Sequence, residues 1–206
     1  MLKFLGKLLN RDLTSPSEPI DTNVSEDEIW EILHPTNKTE QSRKKKNLQN
    51  FLRFITSHLS KTESQRLCRV AKKALDDEEV EAPIWALSEV IRGENGQRRG
   101  RWVFIQLDWK AREEIEWQVS EVLSARGLEC KWDRNCLTDF DSVPQALIAL
   151  SVWLSERSLA LLHLDTESDS YCCFVVKGTE IGDAKELGAL AELKIFDHDE
   201  FTKQYP

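Results

Sequence analysis

The chain has 206 residues and a net charge of -8, with 40% hydrophobic residues, seven Trp, eight Gly and six Pro. That composition excludes a disordered or low-complexity chain and fits one large domain or a domain with an appendage. Residues 1–75 carry 14 basic against 9 acidic residues and residues 76–206 carry 14 against 27, so the body repels phosphate backbones and suits a basic protein partner, not nucleic acid.

Residues 1–9 place Leu2, Leu5 and Leu9 on one helical stripe, with Phe4 beside it and Lys3 and Lys7 interleaved. The lysines and the missing cleavage site argue against a signal peptide, leaving a short amphipathic helix that packs on protein or rests on a membrane surface through Leu2, Phe4, Leu5 and Leu9. Residues 10–24 read as a linker, and Ser25 with Glu28 forms a capping box for a short helix. Three amphipathic helices follow, over 42–59, from a second capping box at Ser60 and Glu63, and from Pro83. The basic run Arg43–Lys46 lacks interleaved aromatics and reads as a solvated face. The expected organisation is an N-terminal helix and linker over 1–24, a helical segment over 25–96 and an α/β body over 97–206, or 25–206 as one domain.

From residue 97 the pattern changes. Trp102 to Leu107 is apolar except for Gln106 and reads as a strand buried on both faces. A helix over 111–126, capped by Gly127, leads to a short strand over 128–132. The helix over 143–154 is apolar almost all round, which places it between the sheet and the helical layer. Strands over 159–164 and 171–176 flank a polar turn, a helix covers 183–191, and a last strand over 193–196 precedes a tail or terminal helix. The fold class is therefore α+β or α/β: a helical N-terminal segment packed on a mixed, roughly five-stranded sheet with flanking helices and a parallel crossover between its first two strands.

Candidate chemistry is sparse. Asp108 and Lys110 stand at a strand end, with Glu113 one turn into the next helix, where α/β sheets place ligands. The competing reading has Asp108 capping the helix and Lys110 lying over Trp109. Trp117 falls on the polar face of its helix, so it packs under the N-terminal helices or meets a partner. Asp165, Glu167 and Asp169 mimic half a calcium loop, but Ser170 and Val176 replace its Gly and Glu, which leaves an acidic hairpin tip. Glu192 and Lys194 lack the adjoining Asp of a nuclease site, His163 reads as a satisfied core or edge histidine, and His198 between two Asp reads as a solvated turn. Nucleotide, hydrolase and metalloprotease signatures are missing, and neither metal nor cofactor is expected. Five Cys at 68, 130, 136, 172 and 173 include an adjacent pair, a poor disulfide framework that points to reduced thiols in the cytoplasm.

Leu107-Asp108-Trp109-Lys110, Trp117-Gln118, Leu164-Asp165-Thr166 and Asp169-Ser170-Tyr171 before Phe174-Val175-Val176 together resemble an uncharacterised bacterial domain family, over roughly residues 100–176. The resemblance implies a bacterial cytoplasmic protein with a domain of unknown function, and it transfers no catalytic residue. The expected role is a non-catalytic protein-interaction module with an acidic surface and contacts at Trp117, Asp165, Glu167 and Asp169, of which immunity to a toxin is one form. The alternatives are a metal- or acid/base-dependent enzyme at Asp108 and Lys110, and peripheral membrane attachment through residues 1–11.

Overall fold

Strands that bury side chains on both faces need a cover on each face, and this chain supplies it from two directions. The computed structural model describes residues 36–77, 82–132 and 142–205, with side chains from Glu40 onward. The chain divides into two compact units, 1–39 and 40–206. Of the first unit only the residues that open α1 are described, so the expectations for Leu2, Phe4, Leu5, Leu9 and the Ser25 capping box lie outside the described residues.

The elements are α1 (Thr36–Ile55), α2 (Lys61–Ala74), α3 (Pro83–Ile91), β1 (Phe104–Asp108), α4 (Ile115–Ala125), α5 (Val143–Ser155), β2 (Leu159–Leu164), β3 (Ser170–Lys177), α6 (Ile181–Leu190), β4 (Ile195–Phe196) and α7 (His198–Gln204). The sheet runs β1-β3-β2-β4 and every pairing is antiparallel. The architecture is α+β. Phe104, Leu162, Leu164, Cys172, Phe174 and Val176 face one core, which α1, α2 and α3 complete with Leu48, Phe51, Leu67 and Leu87. Ile105, Leu107, Leu161, Cys173 and Val175 face the other, under α4 and α5 with Val119, Leu123, Leu147 and Leu150. The alternation is the period of two that a pleated strand imposes.

Three expectations are corrected. Among the described residues the sheet has four strands and no parallel pair; a strand apolar on both faces required helices on both sides, and antiparallel pairing meets that need equally well. The parallel crossover expected between 102–107 and 128–132 is absent among the described residues. Residues 128–132 form no strand. Gly127, at φ +72°, ends α4, and the Leu128 N–H returns to the Leu123 carbonyl at 3.0 Å, which ties this segment to the helix end. Trp132 fills the α4–α5 core from there. The α5 helix lies on the sheet face opposite α1–α3, not between sheet and helical layer, and Val152 on its outer side is 49% exposed.

The outward edge of β1 is closed by side chains. The Gln97 amide accepts from the Val103 and Phe104 N–H groups at 3.1 and 3.0 Å and donates to the Phe104 carbonyl at 3.1 Å. Buried Gln118 accepts from the Gln106 N–H and donates to its carbonyl, both at 2.7 Å. β1 stops pairing at Phe104 opposite Phe174, and Arg126 donates to the next carbonyl of β3, at Val175. In the basic run, Lys44 and Lys45 pair with Glu192 and Asp76.

Candidate functional site

The site follows from one register. Asp108 pairs with Ser170 and Leu107 with Tyr171, so the turn leaving β1 lies beside the turn entering β3. The first turn is held locally: the Asp108 carboxylate accepts from the Lys110 N–H and its carbonyl from the Ala111 N–H, each at 3.0 Å. This corrects the reading of Asp108 as a helix cap, because its side chain closes the turn before the helix begins. The turn projects Trp109 outward, 54% exposed, with the Lys110 ammonium 4.3 Å from the ring centroid. That geometry is a cation–π contact, the arrangement expected for Lys110.

The second turn is also self-contained. Asp165 accepts from the Glu167 N–H at 3.1 Å, and Glu167 takes a left-handed φ of +52°. Thr166, Ser168 and Ser170 bond hydroxyl to hydroxyl at 2.9 Å, and Thr166 also donates to the Ser170 carbonyl at 2.9 Å. Lys194 bonds the Asp165 carboxylate at 2.9 Å and holds its pKa below the usual value. Glu167 and Asp169 stay exposed at the tip.

The third wall comes from the C-terminus. Asp197 caps α7 through the Glu200 N–H at 3.1 Å while Glu200 returns to the Asp197 N–H at 2.9 Å. Lys185 bonds both carboxylates, at 2.8 and 2.6 Å. So anchored, α7 lays Phe201 flat on His163, with ring centroids 3.7 Å apart and planes 6° from parallel. It ends at Tyr205, whose ring meets Tyr171 at 5.6 Å and 71° and Phe201 at 4.8 Å. Burial, with Tyr205 as neighbour, raises the Tyr171 pKa.

The result is a cleft of about 390 Å³ lined by Trp109, Ser168, Asp169, Ser170, Tyr171 and Tyr205. A smaller cavity of about 50 Å³ shares its serines and tyrosines and reaches His163. His163 is 3% exposed and neither ring nitrogen meets a protein hydrogen-bond partner. It is a core histidine, but its polar atoms are not satisfied. Burial lowers its pKa to about 3, with His198 adding to the effect, so the ring is neutral near pH 7. A larger groove of about 570 Å³ lies by α2 and α3, but its Arg66 is already committed to Glu63 and to the Asn95 and Gly96 carbonyls.

Of the residues singled out from sequence, Asp169 joins the cleft, while Asp165 is paired beneath the tip and Glu167 stands at it. Lys110 touches the cleft only through Trp109. Asp108 and Glu113 are exposed and line no part of it. Trp117 also lies apart, 45% exposed, with its ring edge-on to Trp102 at 4.9 Å. Among the described residues no three His, Cys, Asp or Glu side chains gather as metal ligands. Sequence reasoning missed Tyr205 and the depth of His163. The signal for both was the Asp197–Glu200 capping box with Phe201 one residue beyond, which marks a helix that buries an apolar side chain rather than a free tail.

No helix among the described residues is long and apolar enough to cross a membrane. No curated protein and no solved structure matches the chain. A family model does, over residues 26–199, and its description is a domain of unknown function (DUF6630).

Proposed function

The chain belongs to the DUF6630 family of unknown function, and from that premise we propose that it is a non-catalytic interaction module that takes a basic segment of a partner protein in the strand-end cleft. The observation that carries this reading is the company of three aromatic side chains and one exposed carboxylate around a single open cleft. Aromatic faces attract cations, and Asp169 with Glu167 adds the matching charge. The acidic balance of residues 76–206 extends that field over the body and speeds encounter with a basic partner. The cleft's serine hydroxyls bond to each other and to Thr166 rather than to a general base, which favours binding over chemistry. A bacterial, cytoplasmic setting and an immunity role toward a basic toxin fit the same surface.

The test is association with a Lys/Arg-rich peptide, measured by fluorescence anisotropy at two salt concentrations. Wild type should bind with an affinity that falls as salt rises, and the Glu167→Lys/Asp169→Lys variant should bind about tenfold or more weakly. Asp165 is left intact because reversing it would break its pair with Lys194. Equal affinity for the two proteins overturns the reading.

A further inference from the structure

The cleft's chemistry selects among cations. We infer that it seats a quaternary ammonium group, such as the head of choline or the side chain of trimethyllysine. The inference rests on the reading of this cleft as the contact surface and names the group that enters it.

A primary ammonium or a guanidinium carries N–H donors that hold water tightly and need acceptors wherever that water is given up. Ring faces supply none, and three of the six side chains lining the cleft are aromatic. Ser168 and Ser170 spend their hydroxyl protons within the set closed by Thr166 and offer only hydroxyl lone pairs, and Asp169 is the one lining carboxylate. A Lys or Arg side chain therefore meets this cleft still partly hydrated, with its charge against Asp169, whereas a cation without N–H groups can rest its whole surface on the rings.

A quaternary ammonium has no N–H to satisfy. Its methyl groups spread the positive charge over an apolar surface, which suits aromatic walls, and aromatic faces within about 6 Å of such a cation supply the attraction. Tyr171 and Tyr205 stand nearly perpendicular, at 71°, so they form two walls of a corner rather than one flat platform. Trp109, the strongest cation-binding ring type, also lines the cleft, with about half its surface accessible. The Lys110 ammonium at 4.3 Å shows that this ring already draws a cation within the chain. Asp169 supplies long-range attraction that needs no hydrogen bond. It also repels a ligand with its own carboxylate, so choline is favoured over glycine betaine.

The experiment titrates the full chain with tetramethylammonium chloride and, at equal ionic strength, ammonium chloride, following the tryptophan indole N–H signals and, in every variant, the Tyr171 and Tyr205 ring signals by NMR. Tetramethylammonium should shift the Trp109 indole signal in a saturable way and ammonium should not. Trp109→Ala should lower the affinity about tenfold, and because the side chain is half in solvent the variant will fold. Lys110→Met, which removes a competing cation, should raise the affinity a few-fold. Choline, glycine betaine and a peptide in unmodified and trimethyllysine forms complete the series. Tighter binding of choline identifies a free small molecule as the source, and tighter binding of the trimethyllysine peptide identifies a modified partner protein. Equal responses to ammonium and tetramethylammonium, or unchanged affinity in Trp109→Ala, overturn the inference. Either failure leaves the unmodified basic peptide and the Glu167→Lys/Asp169→Lys comparison to judge the interaction-module reading separately.

Discussion

Replacing His163 with Phe should make the protein more resistant to mild acid. In the folded chain burial holds the His163 pKa at about 3, whereas in the unfolded chain it sits near its ordinary 6.5. Between those values the unfolded state binds a proton that the folded state does not, so stability falls as pH drops from about 6.5 toward 3. At pH 5 the difference amounts to about 2 kcal/mol relative to neutral pH. Phe keeps the flat contact with Phe201, carries no unpartnered nitrogen, and has the adjoining small cavity to expand into. Urea denaturation of both proteins at pH 7 and pH 5 isolates the effect. The carboxylates with lowered pKa, Glu63, Asp76, Asp165, Glu180, Asp197 and Glu200, lose their contribution below that range. His58, lowered to about 4 by burial and Arg126, titrates in the same window but is common to both proteins and cancels. The stability lost between pH 7 and pH 5 should be smaller by about 2 kcal/mol in His163→Phe. An identical loss in the two proteins would refute the assignment of His163 as a buried neutral group.

Gln118→Leu keeps the helix apolar but strands the Gln106 N–H and carbonyl, and should cost about 2–4 kcal/mol by chemical denaturation. Glu63→Gln removes the carboxylate that holds Arg66 through two bonds, at 2.9 and 2.6 Å, and Arg101 at 3.3 Å, at a cost of about 2–3 kcal/mol. Arg66 holds the native Glu63 pKa below its ordinary value, so that contribution is present above about pH 4 and fades as pH falls through the lowered pKa, which a denaturation series from pH 7 to 3 would show. Trp117→Ala removes the edge-on contact with Trp102 and should cost about 1 kcal/mol while leaving tetramethylammonium binding unchanged.

The helices and the central hairpin were legible because their signals are local. Ser60 caps α2 through the Glu63 N–H, Pro83 opens α3, and Gly127 ends α4, each where the residue type alone pointed. Strand order was not legible, since apolar runs such as Phe104–Leu107 and Leu159–Leu164 show that both faces are covered but not which neighbour supplies the hydrogen bonds. The same limit misplaced Leu128–Trp132, where apolar side chains fill a helical core from a segment without ladder pairing. The candidate site was half legible. Trp109, Asp169 and Tyr171 sit in motifs that drew attention, but their meeting depends on the register Asp108–Ser170, a long-range pairing. Tyr205 arrives only because α7 docks on His163, a contact made across the sheet face.

The glutamine amides along β1 have a consequence for how this molecule meets others. An edge strand with free N–H and C=O groups is a template on which a partner's extended segment, or a second copy, can lay down a further strand. Here the outward groups of Phe104 and Gln106 are already taken. At the opposite edge β4 covers only His163 and Leu164 of β2. Strand addition at the β1 edge, by a partner or by a second copy of the chain, is therefore disfavoured.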